Sequence, residues 1–79
     1  MYHVYVLRSI SNGKRYVGST ILAPEERLKQ HNYGSNRWTK ANRPFRLIHV
    51  EGFPSKTAAV KRELFLKSGT GRRFLDRIV

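Results

Sequence analysis

The sequence predicts an α+β fold: a small three-stranded antiparallel sheet flanked by helices, in the order β-β-α-α-β-α-α. Three observations lead there. Two short runs rich in β-branched and aromatic residues lie on either side of Asn12-Gly13, a hairpin signal. A third apolar/polar run, Phe45-Arg46-Leu47-Ile48-His49-Val50-Glu51, stands alone between helical segments. The remaining segments carry helix punctuation, with Pro24 and Ser55 as starts and Gly34 and Gly69 as stops.

The first strand is Tyr2-His3-Val4-Tyr5-Val6-Leu7, with faces Tyr2, Val4, Val6 and His3, Tyr5, Leu7. Ser11-Asn12-Gly13 folds it back into a second strand over residues 14–18, ending on Tyr16-Val17-Gly18. Ser19 and Thr20 are then expected in a loop. Antiparallel pairing brings Tyr5 and Tyr16, eleven apart, to one site if the register allows. Pro24 suits a first helical turn and Glu25 and Glu26 suit the positive end of its dipole, so a helix begins near Pro24. On it Arg27 and His31, four apart, share one face. Asn32-Tyr33-Gly34 ends it. A short helix is expected over residues 35–42 with Ser35 as its cap, closed by Pro44. After the third strand, with Phe45, Leu47 and His49 on one side and Arg46, Ile48 and Val50 on the other, Gly52-Phe53-Pro54 turns the chain. Ser55 caps a helix over residues 56–67; Ser68-Gly69-Thr70-Gly71 breaks it, and residues 72–79 form a last helix with Phe74, Leu75 and Ile78 on one face.

At 79 residues, without repeats, low-complexity tracts or linkers, residues 1–79 read as one domain with a thin core. There is no cysteine, which excludes a disulfide framework and a thiolate zinc site. No apolar run reaches the roughly 20 residues of a membrane span, and the absence of a signal peptide makes a cytoplasmic setting the default expectation. Sixteen Lys+Arg against five Asp+Glu give a net charge of +11. A field of that size calls for an anionic partner, and nucleic acid is the commonest. The cations are spread over every segment, which disfavours a membrane-surface helix. A basic structural piece of a larger assembly is the bland alternative.

Five acids are too few for a two-metal nuclease centre, and P-loop, His-Glu-x-x-His and Gly-x-Ser-x-Gly motifs are absent. One acid stands out. On a helical projection Glu63 falls between Leu66 and Ala59 on one side and Val60 and Leu64 on the other, inside the apolar arc. A carboxylate there needs an ion-pair partner or a metal. Water and a substrate phosphate can complete a sparse Mg²⁺ shell around such a group. Arg27 could then stabilise phosphate charge, and Tyr5, Tyr16 or His31 could relay a proton. A tyrosine base requires its pKa of about 10 to be lowered. Taken singly, Tyr5 and Tyr16 read as strand packing, Arg27 as a solvated cation, His31 as a surface histidine and Trp38 as core.

Taken together, these residues resemble the GIY-YIG nuclease family, and its small stand-alone members in particular. The first signature strand corresponds to His3-Val4-Tyr5 and the second to Tyr16-Val17-Gly18. Arg27, in Arg-Leu-x-x-His, matches the family's helix arginine, and Glu63, in Arg-Glu-Leu-Phe-Leu-Lys, its metal-binding glutamate. Asn32-x-Gly34, Arg43-Pro44 and Leu66-Lys67-Ser68-Gly69 extend the similarity over the chain. Three positions depart from the pattern: His3 replaces the first-signature glycine, Ser19 stands where excision-repair members carry lysine, and no asparagine follows Glu63. The resemblance implies hydrolysis of DNA phosphodiester bonds with Mg²⁺ or Mn²⁺ on Glu63. Tyr5, Tyr16, Arg27, His31 and Glu63 are the expected catalytic residues, with Ser19, Thr20, Lys29, Arg37, Trp38, Lys40 and Lys67 expected to contact nucleic acid. The expected substrate is branched or single-stranded DNA chosen by structure more than by sequence. A homodimer is compatible with this reading but not required by it. The alternative expectation is a DNA- or RNA-binding module that keeps the fold without efficient cleavage.

Overall fold

The computed structural model describes residues 1–34 and 36–79. Its elements are β1 (Tyr2–Ser9), β2 (Arg15–Thr20), α1 (Pro24–Tyr33), α2 (Arg37–Asn42), β3 (Phe45–Phe53), α3 (Lys56–Lys67) and α4 (Gly69–Ile78), in the expected order. The three strands form one antiparallel sheet, β2-β1-β3. β1 is central and has helices on both of its faces, which is why its sequence is nearly unbroken in apolar character. Val4 and Val6 face Val17, Ala59, Leu66 and Leu75 under α3 and α4. Tyr5 and Leu7 face Phe45, with Leu28 of α1 packed alongside.

The hairpin turns through Gly13 at φ +78°, with the Ser9 N–H donating to the Lys14 carbonyl at 2.8 Å. Asn42 at the end of α2 anchors it: Asn12 Nδ2 donates to Asn42 Oδ1 at 2.6 Å and Ser9 Oγ to the Asn42 carbonyl at 2.5 Å. β2 runs further than expected. Ser19 and Thr20 are strand residues, paired with Val4 and His3, because β1 extends back to Tyr2 and supplies partners for them. β3 likewise continues to Phe53, opposite Tyr2, so the turn starts at Pro54. A register shift opposite Val6/Leu7 inserts one residue into β3. It reverses the simple alternation, placing His49 opposite Val6 and Val50 opposite Tyr5.

α1 begins at Pro24 without a side-chain cap and ends at Gly34, whose φ of +101° lets its N–H reach the carbonyls of Gln30 and His31, both at 3.1 Å. Asn32 fixes this end to the sheet, accepting from the Phe45 N–H at 2.6 Å and donating to the Phe45 carbonyl at 3.2 Å. The Ser35 cap expected for α2 lies outside the described residues; Asn36 is the cap seen, accepting from the Thr39 N–H at 2.8 Å. α3 starts on its expected Ser55 cap. α4 starts at Gly69 and not at Arg72, because Ser68 closes one helix and opens the next: its N–H donates to Phe65 and its Oγ accepts from Gly71. A Cβ on Gly71 would lie 1.9 Å from the Phe65 carbonyl oxygen, so glycine alone permits this close crossing. Leu75 is thereby seated beside Leu66, while Ile78, expected on the apolar face, is 45% exposed.

Candidate active site

Tyr5 lies at the centre of β1, on the face covered by α1. Its cross-strand partner is Gly18, and a Cβ there would sit 2.5 Å from the Tyr5 hydroxyl oxygen. Glycine is therefore the residue that lets the phenol lie across β2. The hydroxyl is 2.8 Å from His31 Nε2 and receives a long 3.4 Å bond from Arg27 Nε. Arg27 Nη2 is also 3.4 Å from His31 Nε2, and its Nη1 donates to Gln30 Oε1. A guanidinium can only donate, so Nε2 of His31 accepts, and the Tyr5 O–H points at it. The expected α1 pair thus meets the first strand, through the one-turn spacing of Arg27 and His31.

Burial controls the protonation of this cluster. His31, which alone read as a surface histidine, is fully buried. Desolvation, and then the neighbouring Arg27 charge, lower its pKa to about 4, so it is neutral at pH 7. Burial pushes the Tyr5 phenol above its ordinary value, partly opposed by its Arg27 bond. That is opposite to what a free phenolate base requires. Tyr5 is instead a donor to His31. Tyr16, diagonal to Tyr5 in the hairpin, has its ring 6.3 Å from Tyr5 and 4.7 Å from His31. It is half-buried and continues outward onto Trp38 at 5.5 Å, which stacks on Phe45 at 5.7 Å. Trp38 is 36% exposed, a rim residue and not core.

Glu63 approaches β2 from α3, on the opposite side of the pleat from Tyr5. Its Oε1 accepts from Ser19 Oγ at 2.7 Å and its Oε2 from Lys67 Nζ at 2.6 Å. Its charge acts on Tyr5, further opposing ionisation of the phenol. The carboxylate thus has both ion-pair and hydroxyl partners, which explains its place in an apolar arc. Among the described residues no group of three or more His, Cys, Asp or Glu could hold a metal. The fit to a divalent cation is that of one carboxylate, 19% exposed, with Ser19 steadying one oxygen and an exposed, exchangeable lysine on the other. Such a site relies on water and phosphate for its other ligands.

The expected nucleic-acid contacts are less concentrated. Ser19 and Lys67 belong to the Glu63 cluster, and Trp38 joins the aromatic stack beside Tyr16. Arg37 and Lys40 are exposed on α2 beside Trp38. Thr20 Oγ1 accepts from the Leu22 N–H at 2.9 Å and shapes the loop, and Lys29 lies 3.7 Å from Glu26 on exposed helix surface. Sequence reasoning missed Gln30 as the partner of Arg27; its place three residues on was the available signal.

The model of the GIY-YIG catalytic domain matches residues 1–75. A UPF0213 protein of Halobacterium salinarum is 38% identical over 68 residues, which cover 85% of this chain and 86% of its own. A UPF0213 protein of Staphylococcus saprophyticus is 31% identical over 78 residues, covering 98% and 93%. The structure-specific endonuclease subunit SLX1 of Chaetomium globosum is 45% identical over 75 residues, covering 86% of this chain but 23% of its own length. With this fold and a family-model match over residues 1–75, the chain belongs to the GIY-YIG family of nuclease catalytic domains.

Proposed function

We propose that the chain is a divalent-metal-dependent endonuclease that hydrolyses phosphodiester bonds in DNA, selecting its substrate by structure more than by sequence. The observation that carries this reading is the Tyr5–His31–Arg27 hydrogen-bond cluster on one side of β2, with Glu63 on the other. The net charge of +11 suits a polyanion, and the SLX1 relative is by name a structure-specific endonuclease. In hydrolysis a water oxygen bonds to phosphorus, the bond to the leaving oxygen breaks and that oxygen takes a proton from solvent to become the alcohol, and the attacking water's proton must move away. Tyr5 offers a route, taking that proton while passing its own to His31 Nε2. His31 is a weak acceptor first because it is buried and second because Arg27 stands unneutralised beside it; a phosphate on Arg27 offsets the second of these and so raises its basicity in part. Tyr16, half-buried at the mouth, orients the water. Glu63 would hold Mg²⁺ or Mn²⁺, which when bound neutralises charge on the phosphate.

Cleavage of labelled supercoiled, single-stranded and branched DNA with either metal, beside Glu63→Ala and Tyr16→Phe, tests the reading. Wild-type cutting, reduced by about a hundredfold or more in both variants at unchanged binding, is the expected result. Equal binding by all three with no cutting under either metal would overturn it. That outcome is what a second reading expects, a nucleic-acid-binding module; the Lys67 ammonium on Glu63 Oε2 favours it, since a permanent lysine would keep the carboxylate structural.

A further inference from the structure

Three arginines stand side by side across the whole sheet. Arg8 of β1 is directly opposite Arg15 of β2 on one side and Arg46 of β3 on the other. Directly opposed residues share a face, so the guanidinium groups start from one row at strand spacing. Like charges placed this way are destabilising, and the fold gains nothing evident from the repetition. Arg15 is offset by Asp76 at 2.8 Å. Arg8 is not: its Nε is buried and has no hydrogen-bond partner among the described residues. Arg46 is exposed.

Arg8 also lies where two hollows meet. One is an open cleft of about 910 Å³, whose charged lining is Arg8, Lys14, Arg15, Lys67 and Arg72 against Asp76 alone. Its walls include Tyr16 and Trp38, so it runs directly from the proposed centre. The other hollow, on the far side of Arg8, is lined by Arg46 with Ser9, Ile10 and Ile48. We infer that the Arg15–Arg8–Arg46 row is a phosphate-binding track that holds the backbone of a DNA arm leading away from the scissile bond. Three side chains at strand spacing span about 10 Å, the rise of about three base steps along one strand. The repulsion along the row is relieved by the polyanion. The inference deepens the nuclease reading and rests on it for the identity of the ligand. It adds that affinity depends on arm length, because the track lies beyond Tyr16 and Lys67.

The test compares wild type with Arg8→Gln/Arg46→Gln, using fluorescence anisotropy on branched DNA with arms of about three or about twelve base pairs, over a range of NaCl. Arg46→Gln alone, at an exposed position, serves if the double variant does not fold. For the double variant the expected results are about tenfold or greater loss of affinity for long arms, little change for short ones, and a salt slope shallower by about 2. A folded variant with wild-type affinity and salt slope on long arms overturns the track. The two readings fail separately. A wild type that binds but never cuts, with the variant still losing long-arm affinity, sinks only the nuclease reading; a wild type that cuts, with the variant binding like it, sinks only the track.

Discussion

Burial reinforces the protonated state of Tyr5 and, with Arg27 alongside, the neutral state of His31. The guanidinium helps keep His31 neutral, the neutral imidazole accepts the phenol proton, and burial keeps that proton on the phenol. The pH dependence of stability follows. Between pH 6.5 and about 4 the unfolded chain takes up a proton that folded His31 refuses. Stability is therefore full above pH 6.5 and declines as pH falls, by up to roughly 3 kcal/mol near pH 4. Glu51, held below the carboxylate range by its Arg62 bond, adds to the loss only under its ordinary value. Urea midpoints at pH 7 and 5.5 should show a drop in wild type that is smaller in His31→Gln; equal drops would refute the assignment. If Glu63 holds a metal, as proposed, the exposed Lys67 competes with it for the carboxylate. Lys67→Gln should tighten Mn²⁺ binding to the protein alone by up to about fivefold, the range of an exposed pair, read by calorimetry. Unchanged affinity would mean that the metal does not bind at Oε2.

At the scale of elements, the sequence was most legible where a residue has one local job. Asn12-Gly13, Pro24, Gly34 and Ser55 each marked a boundary that the structure keeps. It was least legible where a partner decides. Ser19 and Thr20 are strand because β1 reaches back to Tyr2, and the added residue in β3 follows from pairing that no local pattern displays. The early start of α4 depends on Gly71 lying against Phe65, a tertiary contact hidden in a Gly-rich stretch that reads as a break. The same division holds at the site. Glu63 was visible from its helical projection, whereas the arginine row needs the register of all three strands. Gly71→Ala tests the crossing, because its Cβ would meet backbone, which cannot swing aside. A loss of roughly 3 kcal/mol in chemical denaturation is expected, the upper range for overpacking. A loss under about 0.5 kcal/mol would show that α3 and α4 can separate freely.

At the scale of the whole molecule, a thin core carries two separable features: a buried, hydrogen-bonded centre at β2 and a basic surface around it. The net charge of +11 provides affinity for any nucleic acid, so binding alone says little about the centre. Cleavage does. The most direct test is the single-turnover cutting rate of one branched duplex in Mn²⁺, measured for wild type and Glu63→Gln at DNA concentrations that saturate both. Wild-type cutting and a loss of about a hundredfold or more in the variant, with affinity retained, are the expected results. Equal rates in the two proteins would contradict it, because the α3 carboxylate would then have no part in the chemistry.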